Sequence, residues 1–201
     1  MIQTPEREPL YGVRMLPKDL GVAIIVLIAL LLGLVLRAQI VNRTKLFQDQ
    51  SSPFRMAYPA AWSAVDSLQD VLLKVQDPQA NSTFKTTLTI ERRDIDPASP
   101  PDLQTLVDRR VAQRGELTGY HFLSNADVTV DGVTSSRLEY AYVVQPIDTP
   151  RRAALPVVVQ TREYIVAAKD RTYYITLAAP ENEFEYASGR LEQIIQTVHV
   201  Q

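Results

Sequence analysis

The feature that most constrains this chain is an unbroken apolar run near its beginning. Residues 20–36 read LGVAIIVLIALLLGLVL, seventeen residues without a polar side chain. As a helix the run is about 26 Å long, slightly shorter than a typical hydrocarbon core, and Arg37 can extend it by snorkelling. The run is apolar on every face, whereas a helix on a soluble domain has a polar stripe. It therefore predicts a transmembrane helix over residues 19–41.

A cleaved signal peptide is the alternative interpretation of this run. Nineteen residues precede it, and residues 36–38, Leu-Arg-Ala, make a poor small-x-small cleavage site. We therefore expect an uncleaved anchor in the cell membrane behind a short tail, residues 1–18. The positive charges leave the orientation undecided, because each flank has three. They are Arg7, Arg14 and Lys18 before the run, and Arg37, Arg43 and Lys45 after it. A signal-anchor helix usually leaves the large domain outside the cytoplasm, and we expect that side.

Composition excludes several classes of function for the remainder of the chain. The 201 residues suffice for one domain beside the anchor. A net charge of −2 argues against nucleic-acid binding, which normally brings a basic excess. Without Cys there is no disulfide, no thiolate metal site and no Cys nucleophile. The sequence also lacks a Gly-x-Ser-x-Gly elbow, a Walker loop and a dinucleotide fingerprint, so no cofactor is predicted.

Alternation of apolar and polar residues predicts strands in most of the soluble part. The two longest of these segments are interpreted as hairpins, because each is interrupted by a short turn sequence, Asp131-Gly132 in one and Lys169-Asp170 in the other. The segments with this pattern are 54–58, 71–75, 84–91, 128–144 and 157–178.

Two further segments have helical periodicity. Residues 102–114 form an apolar stripe, with Pro100 and Pro101 at its entry and Gly115 at its stop. Residues 181–197 form a second stripe with glutamates in the first turn. Strands joined by short turns, with one inserted and one terminal helix, predict an α+β fold, an antiparallel sheet flanked by helices behind a single transmembrane helix. We place this domain at residues 53–201, after a polar linker over residues 42–52.

The order of these elements resembles the PsbP/Mog1-like family of α-β-α sandwich domains. Residues 54–62, FRMAYPAAW, are similar to the family's opening strand, tight turn and Tyr-Pro-x-Gly-Trp pattern, with Ala61 where the family often has Gly. The resemblance covers about residues 53–200. It implies a non-enzymatic domain that attaches to larger assemblies, as in extrinsic photosystem subunits, assembly factors, small-GTPase binders and membrane-anchored domains. It carries over no binding residues.

Few side chains suggest chemistry. The two histidines, His121 and His199, have no partners at a recognised ligand or catalytic spacing, and we interpret them as surface or boundary residues. Asp94, Asp96 and Asp102 offer oxygen ligands for Ca²⁺, but no EF-hand glycine or terminal Glu follows them. A solvated connection between elements is the better interpretation. We therefore predict no catalytic, cofactor-binding or metal residues.

Arginine pairs recur along the domain and suggest a basic face for anionic lipid or an acidic partner. They are Arg92-Arg93, Arg109-Arg110 and Arg151-Arg152, with Arg114 nearby. Because residues 52–201 hold fifteen Lys and Arg against nineteen Asp and Glu, we expect mixed surface charge instead. Tyrosines concentrate on the hairpins, where sheet packing is preferred over an interface, and Trp62 is expected in the core. These tyrosines are Tyr140, Tyr142, Tyr164, Tyr173 and Tyr174.

Together these features predict a non-catalytic, single-pass accessory subunit. It would dock on integral membrane subunits of a larger complex, photosynthetic or respiratory by the family likeness, and stabilise it or help to assemble it. The tail at residues 1–18 contains Pro5, Pro9 and Pro17, which oppose a helix, so we expect an extended peptide that packs against a partner. A freestanding anchored ligand-binding or sensor domain is the alternative. An enzyme is disfavoured by the missing motifs.

Overall fold

The computed structural model describes residues 17–41, 43–66, 71–80, 82–145 and 155–200. The chain divides into two compact units, residues 1–42 and residues 43–201, which are described separately. The first unit contains helix α1, Pro17–Val41. Its segment Leu20–Arg37 is long and apolar enough to cross a membrane and is entirely exposed in the isolated chain, so α1 is a candidate membrane span. Most of the predicted tail, residues 1–16, lies outside the described residues.

The second unit is an antiparallel α+β domain, as predicted. Its seven-stranded sheet has the order β3-β4-β5-β9-β8-β7-β6, and β1 and β2 form a separate two-stranded ribbon. The helices are α2 (Leu103–Arg114) and α3 (Glu181–Ile195). The strands are β1 (Thr44–Gln48), β2 (Arg55–Pro59), β3 (Ser63–Ala64), β4 (Val71–Gln76), β5 (Thr87–Asp94), β6 (His121–Val130), β7 (Val133–Val144), β8 (Val157–Ala167) and β9 (Arg171–Pro180).

Helices cover both faces of the sheet. Helix α3 packs on β8 and β9, and α2 packs on β7 and β8. Alternation along β8 separates the two cores, since Tyr164 and Val166 belong to the larger core with α3 while Ile165 belongs to the smaller core with α2. Trp62 is 3% exposed and lies in the larger core, which confirms its prediction. This layering is the expected α-β-α sandwich.

Local sequence signals account for the turns and caps. Asp131 and Gly132 join β6 to β7 with φ of 49° and 76°, the positive values that a type I′ hairpin turn requires. The Asp102 carboxylate accepts a hydrogen bond from the Thr105 backbone N at 2.7 Å and caps α2. Among the described residues other than glycine, Asp131 alone has a positive φ, so the φ of Ala61 is negative. The turn after Pro59 therefore forms without the family's glycine.

Several boundaries differ from those predicted, and the largest difference is at β6, which begins at His121 and not at residue 128. Residues 44–48, assigned to a linker, form β1 and pair with β2 from Thr44↔Pro59 to Gln48↔Arg55. The strand predicted to begin at Phe84 begins at Thr87 instead. The same strand runs on to Asp94 through residues predicted as a connection, because β5 pairs with β9 along its whole length. These differences arise because strand formation depends on pairing with a neighbouring strand, which a local sequence pattern does not show.

The segment after α3, residues 197–200, is hydrogen-bonded to β2 of the two-stranded ribbon. Arg55 in β2 forms an antiparallel bridge with His199, and each residue's backbone N donates to the other's carbonyl oxygen. The Thr197 hydroxyl accepts from the Ala57 backbone N at 3.0 Å, and the Asp131 carboxylate accepts from the Val200 backbone N at 2.9 Å. These bonds join β2, the β6–β7 turn and the segment after α3.

Candidate functional site

The sheet face covered by α2, hereafter the α2 face, carries an unusual number of polar side chains. Strand register places them together, since Glu91 lies opposite Tyr174 and Glu163 lies opposite Thr176. Residues directly opposite on neighbouring strands point to the same side of a sheet. Glu163 is fully buried, at 0% exposure, although glutamate is almost never buried without a partner.

The partner of Glu163 is Arg110 of α2, which is 2% exposed. The Arg110 Nε donates to Glu163 Oε1 at 2.8 Å, and its two terminal nitrogens donate to both oxygens of Glu91 at 3.1 and 2.9 Å. The Arg114 Nη2 lies 3.4 Å from Glu91 Oε1 and from Glu163 Oε1. We call these four residues the Arg110 cluster. Two carboxylates and two guanidinium groups balance its charge.

Neutral groups complete the hydrogen bonding of the cluster. The Thr176 hydroxyl donates to Glu163 Oε1 at 2.8 Å, and the Tyr140 hydroxyl donates to Oε2 at 3.5 Å. The Arg110 guanidinium also lies over the Tyr174 ring, 4.4 Å from its centroid. Glu163 thus accepts from cationic and hydroxyl donors on α2, β7 and β9. A carboxylate engaged in this way holds α2 against the sheet, since a buried charge is tolerated only when it is paired and hydrogen-bonded.

Burial and neighbouring charges shift the pKa values in this cluster. Burial acts to raise the pKa of Glu91, but the hydrogen bonds and positive charge of Arg110 outweigh it and hold that pKa below its usual value. Burial acts to lower the pKa of Arg110, but the charge of Glu163 outweighs it and the pKa is raised. Burial, with the charge of Glu163, raises the pKa of Tyr140. Arg110 therefore stays cationic and Tyr140 stays a neutral hydroxyl at physiological pH.

Two clefts open on the α2 face beside the cluster. The larger has a volume of about 730 Å³ and lies between α2, the loop that precedes it and the ends of β5 and β9. We call it the α2 cleft, and the residues that define it are Arg93, Pro100, Arg109, Thr172 and Tyr174. Its volume is within the range of about 300–1,000 Å³ typical of small-molecule sites. Arg110 contributes to its wall.

The smaller cleft has a volume of about 380 Å³ and lies across the central strands. Four threonines and two tyrosines contribute hydroxyl groups to its wall, and we call it the threonine cleft after its four threonines. They are Thr87, Thr89, Thr161 and Thr176. Glu91 and Arg114 of the Arg110 cluster form part of its wall, so the cluster separates the two clefts. Its alternating threonines follow from strand periodicity, which sends every second side chain to this face.

The structure does not bring the two histidines together. His121 begins β6 and is exposed, whereas His199 lies beside the turn at the other end of that strand, with its Nδ1 3.3 Å from Asp131 Oδ1. A ten-residue strand is about 30 Å long, so the two imidazoles cannot share one ligand.

The three aspartates of the calcium alternative have separate local contacts. Asp94 lies at the end of β5 near Arg92 and Arg171, and the Asp96 carboxylate accepts from the Ala98 backbone N at 2.9 Å. Asp102 caps α2. Among the residues that the structure describes, no group of three His, Asp or Glu side chains is arranged to hold a metal ion.

The arginine pairs are divided between different surroundings. Arg92 forms an ion pair with Asp49 at 2.8 Å, while Arg93 on the opposite face lines the α2 cleft. Arg110 is buried, and its neighbour Arg109 is exposed at the cleft. The pair at 151–152 lies outside the described residues. Four hairpin tyrosines are buried in the sheet, in agreement with the packing interpretation, and they are Tyr140, Tyr164, Tyr173 and Tyr174.

Sequence reasoning missed the Arg110 cluster, although a signal was present. Arg110 continues the helical stripe of Leu103, Leu106 and Val107, which the structure buries wholly or partly. Glu163 occupies an inward position of β8, two residues before Ile165 and four residues after Val159, which are both buried. A charged residue on each of two buried faces predicts a buried ion pair when the two elements pack together.

Comparison with solved structures finds proteins that share this architecture. Cyanobacterial PsbP (CyanoP) from Synechocystis superposes with a TM-score of 0.58 at 14% identity, over 79% of this chain and 92% of that chain. The domain has a PsbP/Mog1-like fold. The yeast Ran-binding protein Mog1p superposes on the PsbP-like domain with a TM-score of 0.50 at 11% identity, over 79% of this chain and 95% of that chain.

A third neighbour of the PsbP-like domain is LpqN from Mycobacterium tuberculosis, described as involved in cell envelope biogenesis. It superposes with a TM-score of 0.52 at 12% identity, over 78% of this chain and 91% of that chain. No protein-family model and no curated protein sequence matches this chain. At these identities the likeness concerns the fold, and the functional residues must be argued from this domain itself.

Proposed function

We propose that this chain is a non-catalytic, single-pass accessory subunit that docks on a larger membrane protein complex and stabilises it or helps to assemble it. The observation that carries the proposal is a single chain in which a helix with an 18-residue candidate membrane span precedes a folded PsbP-like domain. An apolar run of this length is removed from water by a bilayer. Such an anchor confines the domain to the membrane surface, where integral membrane subunits are the available partners. The domain is proposed to lie on the extracytoplasmic side.

The test is a pull-down from native membranes in mild detergent, with a tag after Gln201 and mass spectrometry of the bound proteins. We expect a defined set of integral membrane subunits at fixed ratios. A matched control carries the same tag after residue 42, which keeps the tail and the anchor but removes the whole PsbP-like domain. Subunits that depend on the domain must be absent from that control. Deletion of residues 2–16 should reduce recovery if the tail also packs against a partner.

Two outcomes would contradict the docking proposal. Recovery of the full chain alone would do so, and so would recovery of the same proteins by the domain-less control. The second candidate function, a freestanding membrane-anchored ligand-binding domain, would then be preferred. The observation that favours this alternative is the α2 cleft, whose volume suits a small molecule and whose walls combine arginine, threonine and tyrosine side chains.

A further inference from the structure

The α2 cleft contains two arginine side chains that form no ion pair with a carboxylate of the described residues. Arg93 projects from β5 and Arg109 from α2, and both are exposed to the cleft. None of the ion pairs among the described residues includes either guanidinium. The third arginine that lines this cleft, Arg110, forms ion pairs with Glu91 and Glu163. The cleft therefore has two guanidinium groups on separate elements that no described carboxylate pairs with directly.

A buried hydroxyl without a partner lies on the wall of the same cleft. Thr172 is 1% exposed, and its Oγ1 makes no hydrogen bond with any described residue. It lies opposite Arg93 in the pairing of β5 with β9, so both side chains are on the α2 face. A buried polar group left without a partner is costly. An acceptor atom on a ligand in the cleft would supply the missing hydrogen bond.

Two aspartates, Asp94 and Asp96, also line the cleft and offset part of this positive charge, but neither is in an ion pair with Arg93 or Arg109. The Asp94 carboxylate lies 3.8 Å from Arg92 Nε and 3.7 Å from Arg171 Nε, so two other arginines engage it. The Asp96 carboxylate accepts from a backbone N in its own loop. Arg93 and Arg109 remain available for an anion from outside the chain.

We propose that the α2 cleft binds a small molecule that carries a phosphate monoester. Arg93 and Arg109 hold the phosphate from two sides, the Thr172 hydroxyl donates to it, and the Tyr174 ring and Leu106 pack against the rest of the ligand. A phosphate monoester carries a charge of about −1.5 to −2 at pH 7, which matches two guanidinium groups better than a single carboxylate does. This inference does not depend on the docking proposal, because the cleft lies within the PsbP-like domain.

The first test is calorimetric titration of inorganic phosphate into the full chain in a neutral detergent. We expect saturable binding that weakens by about tenfold or more in Arg93→Gln and in Arg109→Gln, since each removes charged hydrogen bonds. Thr172→Val should weaken it by a smaller factor. The matched control is Arg190→Gln, which removes the same charge from α3 on the opposite face of the sheet and should change binding by less than about twofold.

Two esters distinguish the sources of the phosphate group. Glycerol 3-phosphate represents a soluble metabolite, and dihexanoyl phosphatidate represents a lipid headgroup. Tighter binding of either ester than of inorganic phosphate, lost in Arg93→Gln, supports the proposal and identifies the source. Absence of saturable phosphate binding would overturn it, and so would an equal loss in Arg190→Gln. The exposed arginine variants keep the test decisive even if Thr172→Val fails to fold.

Discussion

Arg109 and Arg110 are adjacent in sequence and have opposite surroundings. One step along an α-helix rotates the side chain by about 100°, so two neighbours cannot both face the sheet. Arg110 is 2% exposed and pairs with Glu163 and Glu91, whereas Arg109 is exposed. The same residue type therefore has a packing role at one position and is available for a ligand at the next.

This contrast predicts unequal effects on stability. Arg110→Met leaves the buried Glu163 without its main partner, and we expect the free energy of unfolding to fall by about 3–5 kcal/mol. Arg109→Met is the matched control and should change it by no more than about 0.5 kcal/mol. Urea unfolding of the full chain in detergent measures both, with the emission of Trp62, the only tryptophan, as the probe of the PsbP-like domain.

Equal effects of the two methionine variants would show that the Arg110 cluster does not stabilise the domain. A further comparison is Arg110→Met combined with Glu163→Leu, which removes both buried charges of the pair. Replacement of a whole buried pair by apolar residues is far less costly than loss of one partner. The double variant should therefore be more stable than Arg110→Met alone.

At the scale of elements, the β6–β7 hairpin depends on the backbone of its two-residue turn. Gly132 has a φ of 76°, a region that side chains other than glycine enter only with strain. We expect Gly132→Ala to reduce the free energy of unfolding by about 1–2 kcal/mol. The measurement is urea unfolding followed by Trp62 emission.

Gly189→Ala in α3 is the matched control for that substitution. A Cβ added at Gly189 meets no atom within 4 Å, and alanine favours a helix interior over glycine by about 1 kcal/mol. The same chemical change should therefore stabilise the domain at position 189 and destabilise it at position 132. A loss of stability at both positions would contradict this account of the turn.

For the whole molecule, the apolar helix predicts how the chain partitions between water and membrane. The full chain should remain in the membrane pellet after alkaline carbonate extraction, with residues 1–18 still attached. Ile25→Arg combined with Leu31→Arg places two charges near the middle of the helix, at about 2.5–3.5 kcal/mol each on the insertion scale, and should release the chain from the membrane. The matched control Ile25→Leu with Leu31→Ile should remain in the pellet. A mature chain that lacks its first residues would instead show a cleaved signal sequence.

Local sequence patterns were sufficient for both helices and for most of the two hairpins of the PsbP-like domain, although they missed the first seven residues of β6. Strands alternate with period two and helices with period 3.6, so residues 102–114 and 181–197 could be distinguished from the strands around them. The turns at 131–132 and 169–170 were predicted because their residues favour turn conformations. The short polar strand β1 was missed, because five residues such as Thr44–Gln48 become a strand only through pairing with β2.

The sequence by itself determined the apolar helix, the hairpins and the antiparallel α+β class, because each follows from interactions between residues close in the chain. Only the tertiary structure decided the Arg110 cluster and the α2 cleft. Both depend on β5 pairing with β9 and on α2 packing across β8, contacts between segments far apart in sequence. Whether Arg93 and Thr172 become neighbours is set by strand register, which no local pattern of either strand encodes.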